Sequence, residues 1–488
     1  SKIPNILPHE RVFPIQIGTE LFKLSGASLS SDAPSYFSQY FLCKLKGAEE
    51  AGTDPAIAIQ TLYIDRDPLT FRDISLHLQG YHVSPRDGTH FVRLFADAQF
   101  YSLPKLMSQL YEESIFMSIG HREFQIPRDL FSDPGNSPNF FSLGFAIFFS
   151  NPTDLFPGLD REGLIRPPSI LPPSVPGRSA ETFSELLHLL RGYPLHIRNE
   201  EHRASLLRDC RYFNFKGLEQ RLIPHHRSFN QALARHEIVL RLEDILKSGI
   251  SIRPEPTDKT TSATAASPTP AISPAWFVNY ARPFVDDSPA ELVLQIGGEN
   301  ARIHFSIHTN HHHHHHHHHK NSTTTTAQVQ FFRDARTRIT KLFEVIASKL
   351  NLPPTTQPLG LLMATGGAAN QPASPGNTPL SEQDWVRCEL KAETSVVLDG
   401  RSYTGHVASP ATVLDGSAAH ILSSLHPPSS SAAMPGPPTG HWILKQSQWR
   451  LRVQSAPGTK SGVECVLEAV KLDALLGELA RNKERGFL

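Results

Sequence analysis

The sequence predicts an α+β protein, in which one unit is used twice and a separate C-terminal α+β domain follows. Three observations predict it. Apolar residues alternate at period two in short runs, then recur at helical spacing, as strands followed by helices do. Motifs of the first part return further along the chain. Stretches rich in Pro, Ser, Thr or His separate the patterned segments. The expected domains are a first repeat over 8–110, a second over 111–225, a connecting segment and flexible linker over 226–275, and the C-terminal domain with low-complexity loops over 276–488.

The chain has 488 residues, 47 Lys+Arg against 47 Asp+Glu, and 28 Phe. A balanced charge gives no electrostatic case for nucleic acid or an anionic membrane, and the Phe content allows a substantial core. No apolar run is long enough to span a bilayer. The four cysteines, Cys43, Cys210, Cys388 and Cys465, never approach CxxC spacing. Neither a zinc site nor a disulfide framework is expected, and a reducing compartment, cytoplasm and/or nucleus, is. Ser1 stands first in place of Met, so the start is read as a cut or processed end, with no signal peptide in view.

Residues 11–24 (RVFPIQIGTELFKL) alternate around Gly18, with Leu21, Phe22 and Leu24 after it, and predict a β-hairpin. Ser31 or Asp32 is expected to cap a helix carrying Tyr36, Phe37, Tyr40 and Phe41, with a variable loop over 44–59. The central stretch is 62–83, LYIDRDPLTFRDISLHLQGYHV. Its apolar start is a strand end. Asp67 is placed to accept N–H bonds as an N-cap, Pro68 fits the first helical position, and Gly80 ends the helix. Phe71, Ile74, Leu78 and Tyr81 follow at helical spacing. In 91–106, Val92, Phe95, Ala98 and Tyr101 face one way.

The series Ile64-Asp65-Arg66-Asp67-Pro68, Phe71, Ile74, Leu78, Gly80, Tyr81 resembles the signature of the potassium-channel tetramerisation type of BTB/POZ domain. Asp97-Ala98-Gln99-Phe100-Tyr101-Ser102-Leu103-Pro104 is similar to another family segment, with Asp where members carry Glu. Gly18-Thr19 stands where many members have Gly-Gly. The resemblance implies a self-associating domain in which polar residues around the turn contact the neighbouring subunit. It makes Asp65, Arg66 and Asp67 the candidate interface. Some members hold zinc with a His and clustered Cys. That Cys cluster is absent, so no metal is carried over to His202 and Cys210.

The second copy follows. Ile119-Gly120 matches Ile17-Gly18, and Phe140-Phe141-Ser142 matches Tyr36-Phe37-Ser38. Thr182-Phe183, Gly192-Tyr193 and Asp209 match Thr70-Phe71, Gly80-Tyr81 and Asp97 at one constant offset of 112. The Pro-rich loop 151–176 accounts for the larger offset. The whole resembles a fungal-type protein with tandem domains of this type. The expected repeat core is Phe22, Phe71, Tyr81 and Tyr101, with Phe124, Phe183 and Tyr193. Gly177-Arg178-Ser179 replaces the Asp-Arg-Asp turn, so copy two is expected either to associate differently or to pack against copy one as a structural element.

Beyond 225 no family is recognised. Residues 228–247 suggest a helix, then a strand near 237–241, and 253–275 suggest a flexible linker. Strands are expected at 276–282, 291–295 and 301–307, with Ile296-Gly297-Gly298 as a turn between strands. The run His311–His319 is a low-complexity loop without a functional metal site. In 329–350, Phe332, Ala335, Ile339, Leu342 and Ile346 form the apolar stripe of a helix, opposite Arg333, Arg336, Arg338 and Lys341. After a linker over 353–379 come strands at 385–390, 395–398, 442–444, 449–453 and 462–471, with a loose insertion over 408–440. A closing helix over 472–485 carries Leu475, Leu476 and Leu479.

Nucleophile, phosphate-loop and zinc-protease motifs are absent, so no enzyme and no cofactor are expected. The expected function is a non-enzymatic protein-interaction and self-assembly scaffold. Its partners are other copies of itself and other proteins, without nucleic acid or membrane. The alternative is a substrate adaptor of a cullin ubiquitin ligase, with the C-terminal domain as receptor. A nuclear regulatory protein, resting on the Arg333–Lys341 face, is weaker.

Overall fold

The computed structural model describes residues 2–148, 171–255, 275–310, 322–351, 385–403, 440–455 and 463–487. The histidine run, most of the Pro-rich loop, the linker over 353–379 and nearly all of the insertion over 408–440 lie outside the described residues. The protein is α+β, and the chain divides into two compact units, Ser1–Leu222 and Ile223–Leu488.

In the first unit β1 (Val12–Ile17) and β2 (Glu20–Ser25) form the hairpin, and β3 (Leu62–Ile64) lies parallel to β1. Gly18 turns the hairpin at φ +51°, where a Cβ would stand 3.0 Å from the Arg66 carbonyl oxygen. The same arrangement recurs. β4 (Ser114–Ile119) pairs antiparallel with β5 (Arg122–Pro127) and parallel with β6 (Ser174–Val175). Gly120 has φ +60°, and a Cβ there would meet the Arg178 carbonyl oxygen at 2.7 Å. Both glycines are required by a positive φ and by a close backbone approach.

The helices of the first half are α1 (Gly26–Ser31), α2 (Tyr36–Glu50), α3 (Pro55–Ala58), α4 (Pro68–Leu78), α5 (Gly88–Phe100) and α6 (Pro104–Glu113). Those of the second are α7 (Phe140–Phe148), α8 (Ala180–Leu190), α9 (Glu200–Phe213) and α10 (Lys216–Leu222). Asp67 caps α4 through the Leu69 and Thr70 amides, and Pro68 begins it, as its sequence predicts. The cap of α2 is Ser35, neither Ser31 nor Asp32. The Asp32 carboxylate is engaged elsewhere. It accepts the Lys105 and Leu106 amides at the start of α6 and pairs with His77 of α4 at 2.8 Å. The expected loop over 44–59 is mostly the end of α2 and the short α3.

An aromatic trio fills each half. Phe37, Phe71 and Tyr101 are fully buried, with ring centroids 4.8–5.7 Å apart. Phe141, Phe183 and Phe213 repeat them at 5.0–5.2 Å. Phe22 and Phe124 are half-buried and meet Phe71 and Phe183 edge-on. Tyr81 and Tyr193 are not core residues: they are 63% and 57% exposed. Helical spacing does not carry past the helix end. Gly80 and Gly192, at φ +93° and +85°, turn the chain away, and each Tyr amide folds back onto Leu76 or His188. The halves are joined where Phe91 of α5 stacks on Phe116 of β4 at 5.0 Å.

In the second unit β7 (His225–Asn230) and β8 (Arg235–Arg241) form a hairpin. The helix expected near 228 is absent, because the Asn230 carboxamide accepts the Leu233 amide and Ala234, at φ +50°, turns the chain. β8 runs parallel to β11 (Ala290–Asn310), and β9 (Ile250–Pro254) pairs with β10 (Trp276–Tyr280). Residues 225–254 therefore belong to the large sheet and do not form a connecting segment. β11 is one strand, not two. At Gly297–Ala301 its register against β15 (Gly440–Ser455) shifts, a bulge in place of the expected turn. β12 (Ser322–Phe331), β13 (Val386–Leu398) and β16 (Val463–Leu475) complete a circuit of pairings, β11–β12–β13–β16–β15–β11, and β14 (Arg401–Tyr403) pairs antiparallel with the end of β13. Helix α11 (Arg333–Lys349) buries Ala335, Ile339, Leu342 and Ile346, with Phe343 in addition. The closing helix α12 (Glu478–Glu484) starts later than expected. β15 offers partners as far as Leu475, so 472–475 are strand, and Leu476 and Leu479 are exposed.

Two outcomes are expected. Phe71→Ala should cost about 3–5 kcal/mol in urea unfolding, and Tyr81→Ala should stay within about 0.5 kcal/mol of the parent. Asp32 is the second case. Burial opposes its ionisation, but the His77 and backbone hydrogen bonds outweigh burial and hold its pKa below the ordinary value. Its stabilisation is present above about pH 4 and is lost as pH falls through the lower folded value. Asp32→Asn should cost about 1.5–3 kcal/mol at pH 7, and the deficit should close towards about pH 2, read by urea unfolding across pH.

Candidate interaction surface

The turn between β3 and α4 carries Asp65, Arg66 and Asp67, and the structure turns Arg66 inward, away from the other two. Arg66 points inward, its side chain 14% exposed, and pairs with the buried Asp97 of α5. Its guanidinium lies over the Phe100 ring, 4.7 Å from the centroid. Asp67 is exposed and caps α4. Asp65 is exposed on the turn. Asp65 and Asp67 therefore face solvent, while Arg66 acts within its own chain.

The pair recurs in the second half. Arg178 Nη1 donates to Asp209 Oδ1 at 3.0 Å, and its guanidinium covers the Tyr212 ring at 4.0 Å. Both pairs are separated by 31 residues. That repeated spacing is the sequence signal that identifies them. Ser179 takes over the capping role of Asp67 and accepts the Thr182 amide. A second shared pairing lies alongside. His90 Nε2 meets Asp73 at 2.8 Å, and His202 Nε2 meets Glu185 at 2.8 Å. His202 thus pairs with a carboxylate, and burial pushes the Cys210 thiol well above its ordinary pKa.

The electrostatics follow from burial. Burial raises Asp97's carboxyl above its ordinary value, and the attraction of Arg66 only partly offsets this. For Asp67 burial acts the same way, but the Thr70 hydroxyl and the Leu69 and Thr70 amides outweigh it, so Asp67 titrates below the ordinary value.

The outer faces of the two turns differ. Tyr63 and Leu69, on either side of Asp65-Arg66-Asp67, are each 61% exposed. At the corresponding positions the second half carries Ser174 and Glu181, both exposed. In the second unit Arg333, Arg338 and Lys341 lie on the exposed face of α11, and Arg338 also reaches the Glu243 carbonyl at 3.4 Å. Among the described residues no group of three or more His, Cys, Asp or Glu is placed to hold a metal ion, and no helix is long and apolar enough to cross a membrane.

No protein-family model matches the chain. It is similar to two proteins of Saccharomyces cerevisiae. One, the uncharacterized protein YDR132C, is 36% identical over 332 residues, which cover 62% of this chain and 66% of that protein. The other, the BTB/POZ domain-containing protein YLR108C, is 35% identical over 250 residues, 51% of this chain and 48% of that protein. The chain thus spans just under two thirds of the first and about half of the second. The second likeness supports a BTB domain here, and with it protein–protein interaction in general.

Removing the guanidinium should leave Asp97 buried and unpaired, its pKa raised further. A raised carboxyl contributes stability below its unfolded value and loses it as pH rises through the folded value. Arg66→Met should therefore cost about 3–5 kcal/mol at pH 7 and clearly less below about pH 4, measured as unfolding free energy at the two pH values.

Proposed function

We propose that the chain is a non-enzymatic interaction and self-assembly scaffold, built on tandem BTB/POZ repeats of the tetramerisation type. One observation carries it: the first half exposes Tyr63 and Leu69 beside the acidic turn, where the second half has Ser174 and Glu181. An exposed tyrosine and leucine beside carboxylates make a contact surface of mixed apolar and charged character, as protein interfaces have. The tandem reading is supported by two sheets of one topology, two aromatic trios and two Arg–Asp pairs. On this reading the first half makes the contact between copies, and the second supports it. All four cysteines are free thiols, as a protein of the cytoplasm or nucleus would carry them.

The second reading is a cullin-ligase adaptor, with the unit Ile223–Leu488 as its substrate receptor. It is supported by the division into two compact units. Light scattering of the full chain over a concentration series separates the two. The expected result is a mass above one chain that falls to one chain in the Tyr63→Asp, Leu69→Asp double variant, with unfolding unchanged. A single-chain mass at every concentration overturns self-assembly, and capture of a purified cullin by that monomer then favours the adaptor.

A further inference from the structure

Strands β11 and β15 place His304 and His441 directly opposite each other in antiparallel register. Residues so placed have Cβ atoms about 4.5–5.5 Å apart, which brings two imidazoles over one point of the sheet. Here the ring centroids are 4.4 Å apart and the planes inclined at 34°. Trp385 flanks both rings, 5.7 Å from His441 and 6.0 Å from His304.

His304 is half-buried, yet its Nδ1 is sealed from solvent without a hydrogen-bond partner. A buried polar atom left so costs about 1–3 kcal/mol, and a cation that accepts its lone pair would remove the penalty. His441 is exposed at the rim, so one of the two imidazoles is open to solution.

We propose that His304 and His441 form a two-imidazole site for a divalent transition metal, with water completing the coordination. Imidazole donors select copper, nickel or zinc over magnesium or calcium, which prefer oxygen. Arg302 lies over Trp385 at 5.6 Å and donates to Gln330 Oε1 at 2.6 Å. Its positive charge weakens the site, which therefore exchanges its metal with solution and is not a closed structural centre.

The test uses Cu2+ on the full-length chain. Any stretch of consecutive imidazoles takes up such ions adventitiously, so His311–His319 are first replaced by serine. Calorimetry should then show one saturable Cu2+ equivalent, with quenching of tryptophan fluorescence that Trp385→Phe largely removes. His304→Ala and His441→Ala should each weaken binding about tenfold or more. His441 is exposed, so its variant should melt like the parent and decides the matter even where His304→Ala perturbs folding. Absence of a saturable equivalent, or unchanged binding in His441→Ala, overturns the proposal.

Discussion

A carboxylate buried in a helix has to be answered, and the first unit of this protein is arranged around that requirement. Asp97 lies inside α5, and the answer comes from Arg66, on a turn that belongs to the sheet. The turn is thereby held against the helix. Its backbone carbonyl presses on the hairpin at Gly18, where even a methyl group would crowd it. Its next residue caps α4. One ion pair thus fixes hairpin, turn and two helices against each other. The second half keeps this device through Arg178, Asp209 and Gly120, although the acidic residues around its arginine have gone. What persists is the inward-facing part of the motif, and what differs is its outward-facing part.

The same division separates other matched positions. Asp32 ties α6 to α4 through its carboxylate, which takes the α6 amides and meets His77 Nε2 at 2.8 Å. In the second half Asn136 accepts the matching helix amide, that of Leu218, at 3.0 Å without a charge. The backbone demand is met in both halves, but only the first makes it depend on pH.

Much of the first unit was legible in the sequence because its signals are local. Asp67-Pro68 announces a helix start, and Gly18 and Gly120 announce tight turns. Phe71 and Phe183 sit at spacings that only a buried helix face explains. The Arg–Asp pairs were less visible, since their partners are 31 residues apart and a run of polar residues on a turn suggests an outward face. Tyr81 and Tyr193 were misplaced by extending helical spacing beyond a glycine. The second unit was harder, because its strands are defined by partners far away. Whether Gly297-Gly298 ends a strand or bulges it depends on β15, some 150 residues on. Leu472–Leu475 has helical composition but finds a strand edge waiting.

The joint between the halves carries a consequence of its own. Phe91 stacks on Phe116, but the residue matching Phe91 in the second half is Arg203, and the one matching Phe116 in the first half is Pro14. Arg203 is turned to Glu200 and to the Leu222 carbonyl. The two halves are therefore not interchangeable. A chain with their order reversed would bring an arginine against a proline where two rings now meet, and the seam would lose its stack. The joint is directional: the inner ends of the two halves fit each other, and their outer ends would not.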